Sequence, residues 1–311
     1  MQLFRNLDEV PERFRHGAVT IGNFDGVHRG HARIIERLAA MARRVEGPAV
    51  VFTFDPHPAR LLRPDLAPQP LSWTERKVEL LEAAGAEAVV AYPTDREFLR
   101  LDAKPFFDRV VRDRLDARGM VEGANFFFGH DRSGDVGTLE HFCADTGRMF
   151  EVVEPVEIDG AVVSSSRLRS LIASGQVELA RTMLTEPYRI RGQVVRGAGR
   201  GAGLGFPTAN VDRIDTLLPG EGIYAGRVWL EGSAWPAAIA IGPNPTFGEG
   251  TLKVEAFLIG FEGTLYDRTI EVDFLARLRK IERFESAEQL VAQMDRDVAA
   301  TRSIVEGNNV E

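Results

Sequence analysis

The sequence predicts two domains of different class: an N-terminal α/β domain with a doubly wound, Rossmann-like parallel sheet, and a C-terminal small antiparallel β-barrel with a terminal helix. Three observations carry that expectation. The chain has 311 residues, which is long for one hydrophobic core. Its first half alternates short apolar runs with longer stretches of helical period. From about residue 188, strand-like runs follow one another across Gly-rich turns with no helix between them, the pattern of a small barrel or sandwich.

In chain order, GAVTIG (17–22) reads as a buried-type strand, and HARIIERLAAMARRV (31–45) as a helix with Ile34, Leu38 and Met41 on one face. PAVVFTF (48–54) is a second apolar strand. SWTERKVELLEAAG (72–85) opens on a Ser/Thr cap candidate and closes near Gly85, so a helix is expected. AEAVVAY (86–92) is a third strand, AKPFFDRVVRDRLDARG (103–119) a further helix and MFEVVEPV (149–156) a later strand. Such alternation implies parallel strands covered on both faces, with ligands at their carboxyl ends. Pro187 ends the last helix of this half, which places the boundary at about 186 and the domains at 1–186 and 187–311. YRIRGQVVRG, GIYAGRVWLEG, WPAAIAIG, LKVEAFLIGF and TIEVDFLARLR supply the second domain's strands, and 286–305 its closing helix. No internal repeat or low-complexity segment interrupts this order.

Composition narrows the function classes. A net charge of −8 argues against broad binding to nucleic acid or an anionic membrane. No run approaches the roughly 18 apolar residues of a spanning helix. The opening MQLFRNLDEVPERFRHG is charged throughout and has no apolar signal core. The single Cys143 excludes an internal disulfide and reads as a small buried residue in a reducing compartment. A cytoplasmic protein is expected.

The stretch TIGNFDGVHRGH (20–31) crowds two imidazoles into a strand-to-helix corner. Gly22 and Gly26 permit backbone conformations closed to other residues. His28 and His31 start a helix whose free N–H groups favour an anion, and Gly30 between them leaves room for a phosphate or an adenine. By itself the H-x-G-H pattern also fits a tight turn with two solvated histidines. Ser164, Ser165 and Ser166 offer hydroxyls at another helix start, with Arg167 or Arg169 able to bind a triphosphate; a plain N-cap with surface arginines is the alternative. In NFFFG (125–129) the phenylalanines suit a core, and Asn125 is the polar exception. His57, between two prolines of FTFDPHP, reads as a rigid loop residue, with contact to substrate as the alternative.

In GQVVRGAGRGAGLGFPTANV (192–211) six glycines lie between Gly192 and Gly205, so many backbone N–H groups can face a phosphate chain. No G-K-[ST] follows, so this is no Walker loop. Thr208 and Asn210 lie two apart on an extended segment and share a side. Their uncharged oxygens suit a Mg²⁺ that takes its other ligands from phosphates and water. Glu255 sits in mid-strand on the face of Phe257 and Ile259, where desolvation would suit a base; an exposed strand glutamate is the alternative.

GNFDGVHRGH resembles the nucleotidyltransferases that transfer AMP or CMP. In its longer form it is similar to the N-terminal module of the bacterial bifunctional riboflavin kinase/FAD synthetase family. EGANFFFGHDRSGD (122–135) and VSSSRLRSLIASGQVELA (163–180) resemble that module's flavin- and nucleotide-binding segments, and the glycine loop with GFPTAN resembles the flavokinase module. The resemblance implies two reactions: riboflavin and ATP give FMN and ADP, then FMN and ATP give FAD and pyrophosphate. It implies nucleotide or flavin contacts at Gly22, Phe24, Asp25, Gly30, Asn125, Ser164, Ser165, Ser166 and Arg169 in the first module. In the second it implies them at Gly197, Gly203, Gly205, Pro207, Asn244 and Arg279, with Mg²⁺ at Thr208 and Asn210. Catalytic roles fall to Glu255 as base and to His28 and His31 as stabilisers of the transferring phosphate. Asn125 stands where many relatives have Asp, Ser166 where many have Thr, and Ala202 where a basic residue is common. ATP, riboflavin and FMN are the expected small-molecule partners, with no nucleic acid and no membrane, and a homo-oligomer is left open. Two other readings remain at this point: a flavin-nucleotide-binding sensor, and a kinase with a different nucleotidyl acceptor.

Overall fold

The computed structural model describes residues 1–197, 199–243 and 252–307. The chain packs as two units, one of residues 1–69 and 73–164, the other of 70–72 and 165–311. The boundary expected at 186 lies between the helices that precede the barrel and the barrel itself; packing groups those helices with the barrel unit.

The first unit is built on six parallel strands: β1 (Gln2–Phe4), β2 (Ala18–Ile21), β3 (Ala49–Asp55), β4 (Ala88–Pro93), β5 (Gly119–Gly123) and β6 (Met149–Val153). Their order is β1-β4-β3-β2-β5-β6, and every pairing is parallel. The chain therefore fills one side of β2 and then crosses to the other, so the order reverses between β2 and β5. Such a switch point opens a crevice at the strands' carboxyl ends. All four residues of β2 are buried, as strands covered on both faces require. One core cluster, including Phe52, Phe107 and Met120, lies on one face. The other, including Ile35, Leu38 and Val51, lies on the opposite face. This is the doubly wound arrangement that the alternating pattern predicts.

Helix α1 (Arg29–Arg44) buries Ile35, Leu38, Met41 and Ala42. The spacing is helical, but the stripe is centred on Ile35, with Ile34 only partly buried against it. Helix α2 (Thr74–Ala83) begins without a side-chain cap, because Trp73, which offers no acceptor, holds the N-cap position; the Thr74 hydroxyl donates to Asp55 Oδ2 at 2.6 Å. Gly85, at φ +109°, follows its end as a helix stop requires. The helix expected over 103–119 is shorter: α3 (Ala103–Phe107) runs into a wider π-type turn ending at Arg114, and Asp116 at φ +40° breaks it. Strand β6 stops at Val153, short of Pro155, which lacks the N–H a ladder needs. Helix α4 (Val136–Asp145) covers β6 and is capped by Asp135, whose carboxylate accepts the Thr138 N–H at 2.8 Å.

In the second unit, α5 (Ser165–Ala173) and α6 (Val177–Met183) precede the closed barrel. Its strands are β7 (Tyr188–Val195), β8 (Ala209–Asp212), β9 (Gly222–Leu230), β10 (Ser233–Gly242), β11 (Lys253–Leu258) and β12 (Thr269–Arg279), ordered β7-β8-β11-β10-β9-β12. Ile190, Tyr224, Ile239 and Phe274 fill the interior at full burial, with the Tyr224 and Phe274 rings edge to face at 5.4 Å. Glu178 of α6 accepts the Arg277 N–H at 2.7 Å and ties that helix to β12. Helix α7 (Ala287–Gly307) closes the unit. Among the described residues no helix is long and apolar enough to cross a membrane.

Candidate active sites

The first site grows from the carboxyl end of β2. The Gly22 N–H still donates to Phe52 O at 3.0 Å, and then the chain turns sharply through residues 23–28. Phe24 (φ +45°), Gly26 (φ +79°) and Val27 (φ +34°) all take left-handed conformations, costly for Phe and for β-branched Val. Both side chains are buried, so core packing holds the strained turn. Its product is His28 at the N-cap of α1, where Nδ1 accepts the His31 N–H at 3.2 Å. In the neutral ring this leaves the proton on Nε2. The His28 and His31 rings stack at 3.6 Å, 15° from parallel, and Phe24 packs edge-on to His31 at 5.1 Å. A methyl group on Gly30 would come within 3.1 Å of the His28 ring, which explains a glycine between two histidines.

Electrostatics then make the pair neutral. Burial pushes His28 down to about 4, against the opposing effects of its backbone and of Asp25. Burial, the neighbouring His28 and the Lys77 ammonium hold His31 well below the usual histidine value. His31 Nδ1 is buried without a hydrogen-bond partner among the described residues. A neutral imidazole at a helix N-terminus donates a hydrogen bond to an anion without spending a proton.

The linkage has a definite sign. His28 binds a proton near pH 6.5 when unfolded and near 4 when folded, so its contribution is full above 6.5 and is lost as pH falls towards 4. The contribution of His28 to the stability of the first unit should therefore rise between pH 4 and 6.5, by on the order of 3 kcal/mol. His28→Gln should flatten that rise in denaturant titrations at several pH values.

Beside the corner lies a cavity of about 770 Å³ bounded by Gly22, Asn23, Phe54, Asn125 and Phe127, within the range of small-molecule sites. It gathers residues from the ends of β2, β3 and β5, as the switch point requires. The phenylalanines of NFFFG divide their duties. Phe128 is core, Phe126 stacks on it at 5.6 Å, and Phe127 is 46% exposed under the Arg132 guanidinium at 4.2 Å. Asn125 lines the cavity, and so does His57. Ser164 closes the first unit, while Ser165 and Ser166 open α5 in the second, with half-buried Arg169 one turn on.

The second site lies on the barrel. Asn210 of β8 pairs directly with Glu255 of β11, and Thr208 precedes Asn210 by two. Alternation puts all three on one face, and all three line one cavity with Phe206 and Phe257. The fully apolar face of β11 is the other one, formed by Val254, Ala256 and Leu258. Glu255 is thus half-buried on the cavity face beside Phe257, while Ile259 lies beyond the strand's end. The glycine loop approaches closely. A methyl on Gly197 would fall 2.2 Å from Asn210 Nδ2, and one on Gly201 2.4 Å from Phe206 O. Gly203, Gly205 and Pro207 are exposed, and Gly205 needs its φ of +91°. Arg279 lines the same cavity, but its guanidinium is engaged by Asp297 of α7 through Nη2–Oδ2 at 2.8 Å and Nε–Oδ1 at 3.1 Å. Asn244 lies outside the described residues.

Two buried ionisable groups of the first unit escaped the sequence reading: Lys77 of α2, 8% exposed, and Glu122 of β5, 2% exposed. The signal for Glu122 is an acid inside the apolar run GMVEG; that for Lys77 is absent from TERKVELL, which reads as an ordinary amphipathic helix.

Comparison with known proteins falls on the same two units. The family model described as FAD synthetase matches residues 10–167, and that described as riboflavin kinase matches 184–305. The bifunctional riboflavin kinase/FMN adenylyltransferase of Pseudomonas fluorescens is 37% identical, over 98% of each chain. That of Escherichia coli K12 is 33% identical over 97% of each. A crystal structure described as a macrolide-efflux protein from Streptococcus pneumoniae, 29% identical, superposes with a TM-score of 0.86 over 96% of this chain and 98% of its own. With both family models matched in order and relatives aligned almost end to end, the chain belongs to the bifunctional riboflavin kinase/FMN adenylyltransferase family.

Proposed function

We infer that the chain phosphorylates riboflavin with ATP to FMN and ADP, and then adenylylates FMN with ATP to FAD and pyrophosphate. The observation that supports this best is that each matched family segment brings its own cavity, one beside the paired histidines and one around Thr208, Asn210 and Glu255. We assign adenylyl transfer to 1–186 and the kinase to 187–311.

In adenylyl transfer the nucleophile is an FMN phosphate oxygen, already ionised at neutral pH. It bonds to the α-phosphorus of ATP while the bond from that phosphorus to the departing pyrophosphate oxygen breaks. No base is required, and the site supplies alignment and charge stabilisation. His28 donates its Nε2–H to the α-phosphate, the α1 N-terminus adds its dipole, and the 770 Å³ cavity holds the flavin.

The kinase step differs because an alcohol must lose a proton. Glu255 takes it from the terminal ribityl hydroxyl as the oxygen attacks the γ-phosphorus and ADP leaves. Thr208 and Asn210 present two neutral oxygens on the face of Glu255, a donor set that fits Mg²⁺ completed by phosphates and water. Among the described residues no group of three or more His, Cys, Asp or Glu could hold a metal instead. When bound there, the ion offsets charge on the ATP phosphates. Gly197 keeps Asn210 in place, so Gly197→Ala should slow FMN formation roughly 10²-fold by displacing that amide, with adenylylation of added FMN unchanged. We place the enzyme in the cytoplasm, a reducing compartment that suits its buried thiol.

Labelled ATP tests the assignment. γ-Labelled ATP with riboflavin should put label into FMN, and α-labelled ATP with FMN should put it into FAD. Tight flavin binding with no transfer would favour a sensor, and α-label reaching another acceptor would reassign the first unit.

A further inference from the structure

Strands β2 and β5 are laddered only at Ala18–Gly119 and Val19–Met120. Beyond that point each leans away. β2 stays on β3 through Ile21–Phe52 and the Gly22 N–H, and β5 stays on β6 to Gly123–Val153. The crevice so opened separates the roots of the two loops that carry the first site, residues 22–28 and 123–135. One side chain crosses its floor. Glu122, 2% exposed, accepts the Ile21 N–H at 2.7 Å through Oε1, in place of the missing ladder bond.

We propose that Glu122 is a positioning residue for adenylyl transfer, its carboxyl bridging β2 and β5 so as to set the spacing between the His28–His31 corner and the loop bearing Asn125. The inference rests on the reading of that corner as the adenylylation site. A fold needs no acid here, since an apolar residue would avoid the desolvation of a carboxyl. Burial raises Glu122 well above the usual carboxylate range, against the opposing Ile21 N–H and Thr20 hydroxyl of β2. From α4 the Cys143 thiol faces it, pushed up to about 12 chiefly by its own burial. Among the described residues, no cation shifts Glu122. Burial therefore favours the protonated carboxyl, while Oε1 accepts from the Ile21 N–H. This shape is one glutamine reproduces and valine does not.

The test compares Glu122→Gln and Glu122→Val in the full chain, with riboflavin phosphorylation as the internal control. Wild type must first form FAD from FMN and ATP; if it does not, the reading of the corner fails before the inference is reached. Given that activity, Glu122→Val should lower kcat for FAD formation roughly 10- to 10²-fold with KM for ATP and FMN little changed, while Glu122→Gln retains most of it and the kinase rate is constant. A second readout survives misfolding of the valine variant. A raised carboxyl binds its proton to higher pH in the folded state than in the unfolded, so the contribution of Glu122 to the stability of the first unit falls as pH rises from about 4.5 through the folded value. Glu122→Gln should remove that fall. Undiminished FAD formation by Glu122→Val, a loss in Glu122→Gln as deep as in Glu122→Val, or an identical stability slope in Glu122→Gln and wild type would each overturn the proposal.

Discussion

Replacing His28 and His31 together by alanine should lower adenylylation of FMN by on the order of 10³-fold or more, since donors aimed at developing oxyanion charge are each worth about 10²–10³. Riboflavin phosphorylation by the same protein should be unchanged. The two rings act as one unit: they stack at 3.6 Å, and His28 holds the first turn of α1 through the His31 N–H. The single variants should therefore cost nearly as much as the double. Loss of the N-cap also removes about 1 kcal/mol of helix stability, which the melting temperature and the retained kinase rate separate from the chemical effect. Because both imidazoles are held neutral, the rate should not fall between pH 6 and 8 as a catalytic imidazolium would require. A FAD rate that survives the double substitution removes the corner from the mechanism.

Glu255→Gln should lower FMN formation by about 10²–10⁴-fold, the value of a positioned general base, and leave FAD formation from supplied FMN intact. The substitution keeps the side chain's length and its place opposite Asn210, so neither the barrel nor the cavity should change. The loss should appear in kcat, with little movement in KM for ATP. A glutamine variant that phosphorylates riboflavin at the normal rate would show that Glu255 is only a wall of its cavity.

The two-unit architecture was legible because its signals are periodic. Parallel strands such as AVTI and AVVFTFD are apolar but for Thr20, Thr53 and the terminal Asp55, and β11 alternates Lys253, Glu255 and Phe257 with Val254, Ala256 and Leu258. Elements without periodicity were missed. Strand β1 has three residues at a sheet edge, and GMVEG carries glycine at both ends with a glutamate between. The grouping of α5 and α6 with the barrel depends on contacts such as Glu178 to Arg277, which join residues 99 apart in sequence. In the sites, residue types and spacings showed which side chains share a corner, because a helix start and a two-residue alternation fix direction locally. Neutrality of the histidines was not legible, since it comes from burial under Phe24 and from Lys77, far away in the chain. Nor was the engagement of Arg279 by Asp297, which needs α7 laid over β12.

The most direct test of one chain carrying two chemistries is a time course of the purified protein with riboflavin, ATP and Mg²⁺, its flavins separated by chromatography. FMN should appear first and then give way to FAD as pyrophosphate accumulates. FMN that persists without FAD, or no flavin nucleotide at all, would contradict the account.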